Sequence, residues 1–243
     1  MLKSPFNYIG NKYRIIDQLL QYFPTGINNF VDLFCGGCDV VINTRARHRY
    51  ANDSNYLVVD IFREMQKYTV SELLEYFDST IVENKLSKED RDSYIRFRKM
   101  YNENRNPLDL YVLMCFSFNY QFRFNSAHEF NNTFGRNRSS FNKAMRSNLK
   151  NFVPKIKNVH FSALDFRDFN FLKLRNNDFL YADPPYTLTC GSYNDGKRGF
   201  KGWNTADDRD LFDILDLVSD NGCSFALSNV SQHKGVKNEQ LFS

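Results

Sequence analysis

The run Phe179-Leu180-Tyr181-Ala182 leads straight into Asp183-Pro184-Pro185-Tyr186, and this junction limits the folds open to the chain. Four apolar residues in succession read as a buried strand. Proline cannot donate to a sheet ladder, so the strand must stop where the prolines begin. A carboxylate at the tip of a buried strand is costly unless it is solvated, paired or used. In open α/β sheets, strand tips are where ligands bind.

A chain of 243 residues has room for one large domain, or for a core with an inserted subdomain. Charged residues make up 25% and hydrophobic ones 42%, as in ordinary soluble proteins. No apolar run approaches the roughly 20 residues that span a bilayer, and Met1 to Pro5 lacks the basic-then-apolar start of a signal peptide. A cytoplasmic protein without membrane association is expected. The five cysteines, Cys35, Cys38, Cys115, Cys190 and Cys223, are odd in number and mostly well spread, which argues against a disulfide framework. Cys35 and Cys38 have C-x-x-C spacing, but a metal or redox centre needs a second pair or nearby histidines. His48, His128, His160 and His233 are scattered. No metal is expected, and the two cysteines read as small residues flanking a glycine turn.

Asn28 to Gly37, "NNFVDLFCGG", reads as a strand followed by a tight turn, with Asp39 to Asn43 opening a helix. Before it, Ile15, Ile16, Leu19, Leu20 and Phe23 mark one helical face that Pro24 ends. "RYAND", Arg49 to Asp53, reads as a second strand ending at an acid. This order suits a Rossmann-like nucleotide pocket, with the acid placed for ribose hydroxyls. From residue 55 to about 149 the texture turns helical. Leu73, Leu74 and Phe77 mark one helix. Ser87 to Asp90 offers a capping box for another, carrying Tyr94, Phe97 and Tyr101, and Pro107 suits the first turn of a third. Strands resume at Val159 to Phe161, Phe179 to Ala182 and Cys223 to Leu227, with an amphipathic helix over Asp207 to Ser219. The expected fold class is α/β, a Rossmann-like sheet interrupted by a mostly helical insert. Residues 1–54 and 151–243 would form the catalytic domain and 55–150 the insert.

The window Asn119 to Lys150 holds six basic side chains against Glu129 alone, together with six aromatics and seven asparagines. Basic groups suit phosphates, aromatics suit stacking, and Arg and Asn suit base edges. The reading is nucleic-acid contact through a basic hairpin-like segment, against the alternative of a solvated loop with some core residues.

The chemistry that fits Asp183 to Tyr186 is methyl transfer to an exocyclic amine. The lone pair of such an amine is delocalised into its ring. Acceptors at Asp183 and a neighbouring backbone carbonyl, that of Pro184, would take its two N–H bonds and favour a pyramidal nitrogen. The prolines fix φ and so the carbonyl direction, and Tyr186 can stack on the base. A sulfonium methyl donor in line completes the transfer, with Asp183 acting as a preorganised electrostatic group. A base in a duplex must first be flipped out.

The set "FNYIGNK", "VDLFCGG", "YAND" and "DPPY", in that order, resembles the Dam-type DNA adenine-N6 methyltransferases. The likeness runs from Phe6 to about Asn229. It implies S-adenosylmethionine as cofactor and double-stranded DNA, with adenine in GATC, as substrate. It also implies Tyr8 and Lys12 as cofactor contacts, with a helix-start aromatic and a surface lysine as the plainer alternative. Asp32, Phe34, Gly36 and Gly37 would surround the methionine and ribose moieties, and Asp53 would accept from ribose hydroxyls. Asp165 and Phe166, in "FSALDF", resemble the segment holding the cofactor adenine, with a helix cap as rival. Asp183, Pro184, Pro185 and Tyr186 would be catalytic. In the insert, "FNYQFRFN" resembles the DNA-reading segment: Asn119 would contact phosphate, Arg123 guanine, and Asn125 would lie beside them. Phe134 to Arg136, "FGR", resembles the hairpin near the flipped base; Arg138 and Lys143, read from the basic window rather than from the resemblance, would add DNA contacts, Lys143 to phosphate. Tyr120-Gln121 and Asn137 depart from the family pattern. So does the end at Ser243, where relatives continue with further strands. Two other readings stand beside this one: a cytosine-N4 or RNA amino methyltransferase, and a catalytically silent DNA-binding relative.

Overall fold

A computed structural model describes residues 1–189 and 202–241; Cys190 lies outside the described residues. The marked strands form with small displacements: β1 (Asn29–Asp32), β2 (His48–Asn52), β3 (Val159–Ser162), β4 (Phe179–Ala182) and β5 (Ser224–Leu227). They build one parallel sheet in the order β3-β2-β1-β4-β5. The chain lays β1, β2 and β3 outward to one side, then returns to place β4 on the other flank of β1. The strand order therefore reverses between β1 and β4, which makes the C-terminal ends of those two strands the binding crevice. Asp32 pairs in register with Tyr181 across that gap and with Ala51 on the other side.

Both faces of the sheet are covered, which is why β4 is apolar at every position. Phe30, Phe179 and Tyr181 join a cluster with the helices after β2, while Val31, Leu180 and Ala182 meet Leu211, Leu215 and Val218 on the opposite face. Successive strand residues point to opposite faces, so each strand feeds both clusters. Helix α1 (Ile16–Leu19), flanked by 3₁₀ turns, precedes β1, and α2 (Asp39–Asn43) follows it. Between β2 and β3 run α3 (Tyr56–Met65), α4 (Val70–Glu83), α5 (Arg91–Asn104), α6 (Pro107–Phe116) and α7 (Lys143–Ile156). One apolar cluster runs without interruption from the sheet through these helices. Residues Leu108 to Phe116 of α6 are buried throughout, and Asn106 caps α6 with Pro107 at its first position. Helix α8 (Thr205–Asp220) covers the other face.

Two local expectations change. Helix α5 is capped by Asp90, whose Oδ1 accepts from the amides of Asp92 and Ser93 at 3.0 Å each. Ser87 instead accepts from Glu89 and Asp90 at 3.3 and 3.0 Å and shapes the preceding turn. Both residues are good caps, and the carboxylate sits where the apolar period begins. The hairpin-like segment is not a ladder either. Among the described residues it carries two single bridges, Ser117 to Phe134 and Phe124 to Phe130. Its loops are held by asparagine side chains: Asn132 donates to the carbonyls of Phe118 and Gln121 at 3.0 and 2.7 Å. The segment from Lys143 onward is helix α7.

Candidate active site

The N-terminal segment is pinned to α2 before it reaches the sheet tips. Leu2 and Asn43 exchange two 2.8 Å bonds, Leu2 N to Asn43 Oδ1 and Asn43 Nδ2 to Leu2 O. Ser4 N donates to Asp39 Oδ1 at 2.9 Å. Burial pushes the Asp39 carboxyl up to about 6, against the Ser4 bond and the charge of Lys3. The anchored segment then lays Tyr8 over the turn after β1. A Cβ on Gly36, which has φ +46°, would lie 2.8 Å from Tyr8 Cδ1, and one on Gly37 would lie 3.0 Å from Tyr8 Cβ. The glycines are therefore required for the approach of the Tyr8 ring. Cys35 and Cys38 are buried on either side of this turn, and burial raises both thiols, which keeps them protonated.

Three carboxylates stand at the sheet tips, each in a different state. Asp32, at the end of β1, is 1% exposed, and among the described residues neither of its oxygens has a hydrogen-bond partner. Burial, then the charge of Asp183, raises it well above the usual carboxylate range. The Val41 amide pulls the other way without closing a bond of good geometry. Asp53, after β2, accepts from Gly36 N and Asn55 N at 2.9 Å each. Burial raises it, and those two amides oppose the shift. Asp183, after β4, has both oxygens engaged: Oδ2 pairs with Lys12 Nζ, and Oδ1 accepts from Tyr186 OH at 2.7 Å. Burial raises Asp183, while the charge and hydrogen bond of Lys12 hold it down. Lys12 Nζ also donates to Gly10 O at 3.0 Å and lies 5.5 Å from the centre of the Tyr186 ring.

Opposite these acids stands an apolar wall. Phe34 and Phe166 have ring centres 5.5 Å apart, and Trp203 meets them at 5.6 and 5.3 Å. Asp165 does cap the short 3₁₀ turn of Phe166–Asp168, through a 3.1 Å bond from Arg167 N, yet it still lines the cavity. Arg167 lies over the Phe166 ring and joins Asp165 to Asp207 and Asp210. Together these groups enclose a cavity of about 340 Å³ that opens at the C-terminal ends of β1 and β4, within the range of small-molecule sites. Tyr8, Lys12, Asp32, Phe34, Gly36, Gly37, Asp53, Asp165, Phe166, Asp183, Pro184, Pro185 and Tyr186 all line it. Trp203, Asp39 and Arg167 line it too and were not marked in the sequence. The position of Trp203, as the chain's single tryptophan just before a helix start, was the available signal for it.

The residues marked for nucleic acid are spread more widely. Gln121, Phe122 and Phe124 reach the cavity, and Asn7 Nδ2 donates to Asn119 O at 2.7 Å, so this loop adjoins the pocket mouth. Asn119, Arg123, Arg136, Arg138 and Lys143 are exposed. Asn125 is committed to its own loop, accepting from Ala127 and Glu129 amides and donating to Glu129 Oε2. Phe134 packs on Tyr94 with ring centres 5.3 Å apart. The stacking role of the window's aromatics is corrected for Phe130 and Phe141, which are core residues; Phe122 and Phe124 are buried too but line the cavity. An aromatic-rich loop beside an apolar helical bundle gains more by burying its rings. Arg146 is paired with Asp78 and stacked on Phe141.

Residues 8–241 match a family model described as D12 class N6 adenine-specific DNA methyltransferase. The chain is 50% identical to the modification methylase StsI of Streptococcus sanguinis and 48% identical to the type II methyltransferase M.FokI of Planomicrobium okeanokoites, each over 242 residues. Both alignments cover 99% of this chain and 37% of the relative, so the chain spans little more than a third of their length. A DNA adenine methylase of Haemophilus influenzae is 26% identical over 188 residues, 75% of this chain and 63% of that protein.

Proposed function

This chain belongs to the D12 class N6 adenine-specific DNA methyltransferases, and on that premise we propose that it transfers a methyl group from S-adenosylmethionine to the N6 amino group of a flipped-out adenine in double-stranded DNA. The observation that carries the reading is Asp183: a carboxylate at the tip of β4, held from both sides and followed by two prolines, beside a second carboxylate at the tip of β1 that has no partner among the described residues.

The donor set fits the cofactor. Among the described residues Asp32 is buried without a donor, and the α-ammonium of S-adenosylmethionine is the kind of partner such a group needs. Asp53 keeps lone pairs free beyond its two amide bonds and suits ribose hydroxyls. Phe34, Phe166 and Asp165 offer an apolar wall and an acceptor for an adenine. When bound, the cofactor supplies an electrophilic methyl group. The protein's part is positioning. Asp183 Oδ1 accepts one N6–H of the target and draws the nitrogen lone pair out of conjugation. Tyr186, whose hydroxyl holds that oxygen in the free site, yields it and keeps its ring for stacking. Lys12 holds the buried Asp183 carboxyl down against its desolvation. Asp183 Oδ1, on the N6–H bond, would take the proton that the methylated nitrogen must shed.

The division of labour is part of the proposal: residues 1–54 and 151–243 hold cofactor and target base, and 55–150 read DNA. Arg123 is assigned to a guanine edge, Asn119 to phosphate, and Arg136, Arg138 and Lys143 to the backbone. GATC is the target that the resemblance implies, and it enters the test as one sequence among several. The StsI relative is named a modification methylase and the FokI relative a type II methyltransferase, which supports a role in restriction and modification. The reading is tested by Asp183→Ala. Transfer should fall on the order of 10²-fold or more, while thermal unfolding and duplex affinity stay near wild type. Near-wild-type turnover in a folded variant removes the role given to Asp183.

A further inference from the structure

Asp208 is a buried carboxylate that the proposed transfer does not use. It is 1% exposed and lies in the first turn of α8. Its neighbour Asp207 is committed to capping, accepting from Asn204 N at 2.9 Å and pairing with Arg167. Asp208 turns elsewhere. Its Oδ1 accepts from Trp203 Nε1 at 2.7 Å, and its Oδ2 accepts from Thr187 Oγ1. One side chain thus grips both the indole of the cavity wall and the residue that directly follows Tyr186.

Stability alone is a poor reason for this arrangement. Taking a carboxylate out of water is costly even when it is hydrogen-bonded, and an apolar side chain of similar size packs without that cost. What a charge-assisted bond to Nε1 adds is direction. Phe34 and Phe166 touch the indole at 82° and 40° to its plane, contacts that leave a ring some freedom to turn. The Asp208 bond removes that freedom. The helix N-terminus beneath offers the carboxylate a favourable dipole.

We propose that Trp203 is a cofactor-contact residue, forming one wall of the slot for the adenine ring of S-adenosylmethionine, and that Asp208 is a positioning residue holding this wall and Thr187 on one anchor. The inference rests on the reading of the cavity as a cofactor site. It adds a consequence that reading lacks: the posture of Trp203 and that of the residue next to the Asp183-to-Tyr186 segment are set by the same carboxylate. Perturbing Asp208 should therefore disturb cofactor affinity through Trp203 and the saturated rate through Thr187.

Trp203 is the only tryptophan, so its fluorescence reports the wall without labelling. S-adenosylhomocysteine is titrated into the wild-type chain and followed by tryptophan emission and by calorimetry. Both signals should saturate together. Trp203→Ala should weaken binding by about tenfold or more, the usual loss when an aromatic platform under a base is removed. Trp203→Phe and Asp208→Asn should each weaken it less, and the double variant should be no worse than the weaker-binding single, because Asp208 acts through the indole N–H. Thr187→Val should leave S-adenosylhomocysteine affinity within about twofold of wild type and lower kcat, a split that a merely structural role would not give. Thermal unfolding of each variant checks the fold, and Trp203→Phe and Thr187→Val decide the matter should Asp208→Asn fail to fold. Calorimetric binding with unchanged emission overturns the wall, and additive losses in the double variant overturn the coupling. Absence of calorimetric binding in the wild type removes the cofactor reading itself, and the inference with it.

Discussion

Replacing Asp39 by asparagine isolates the cost of burying one carboxylate that anchors the N-terminal segment. Asp39 is 4% exposed and accepts from Ser4 N at 2.9 Å. Burial raises its carboxyl from the ordinary 3.8 to about 6. The folded protein then holds the proton more tightly than the unfolded chain, so folding takes up a proton between those two values. Stability falls as pH climbs from about 4 to about 6 and is level above that. A gap of about two pH units corresponds to about 3 kcal/mol. Asparagine is neutral throughout and keeps an oxygen for the Ser4 amide, though its NH₂ needs a new partner. Above pH 6 the variant should be more stable by about 2 kcal/mol, a rise in Tm of roughly 4–8 °C at this chain length. Near pH 4 the gain should vanish. Urea unfolding of both proteins from pH 4 to 8 reads the difference directly. Parallel curves, or a variant less stable at every pH, would refute the reasoning.

Lys12→Met removes the cation that holds the Asp183 carboxyl down against its burial, so the acid limb of the transfer rate should move to higher pH, with activity returning as pH rises; an unmoved limb would show that Lys12 does not tune Asp183. Asp53→Ala should raise the calorimetric Kd for S-adenosylhomocysteine while leaving duplex affinity near wild type, and unchanged cofactor affinity would make Asp53 only a clamp on Gly36 and Asn55. Arg123→Ala should cost roughly 1–3 kcal/mol on the preferred duplex and far less on random DNA, whereas Lys143→Ala should weaken both alike and shallow the salt slope by about one unit. Equal losses on both duplexes for Arg123→Ala would leave it a phosphate contact.

Local patterns announced the sheet. The prolines after Asp183 and the glycines after Asp32 end strands by backbone chemistry alone, and β1, β2 and β4 stop where those residues and Asp53 require. Pro107 marked the start of α6 for the same reason. What stayed hidden depends on distant partners. Ser87 and Asp90 are both good caps, and only the packing of Tyr94, Phe97 and Tyr101 decides which begins the helix. Phe141 of the basic window looks like a stacking surface until α4 and α6 bury it against Phe77 and Tyr111. Gly36 and Gly37 line the cavity, but that their missing Cβ atoms also admit Tyr8, brought from 28 residues away in sequence, could not be read from the local pattern. The grip of Asp208 on Thr187 and Trp203 has no sequence signature, because an acid in a helix's first turn ordinarily serves the cap.

The central claim is tested most directly by incubating the protein with methyl-labelled S-adenosylmethionine and a panel of duplexes that includes GATC, related adenine-containing sites and scrambled sequences. The DNA is then digested to nucleosides for mass spectrometry. Label in N6-methyldeoxyadenosine from a subset of the duplexes, lost with Asp183→Ala, is the predicted result. Label in N4-methyldeoxycytidine, or cofactor binding without any transfer, would contradict it.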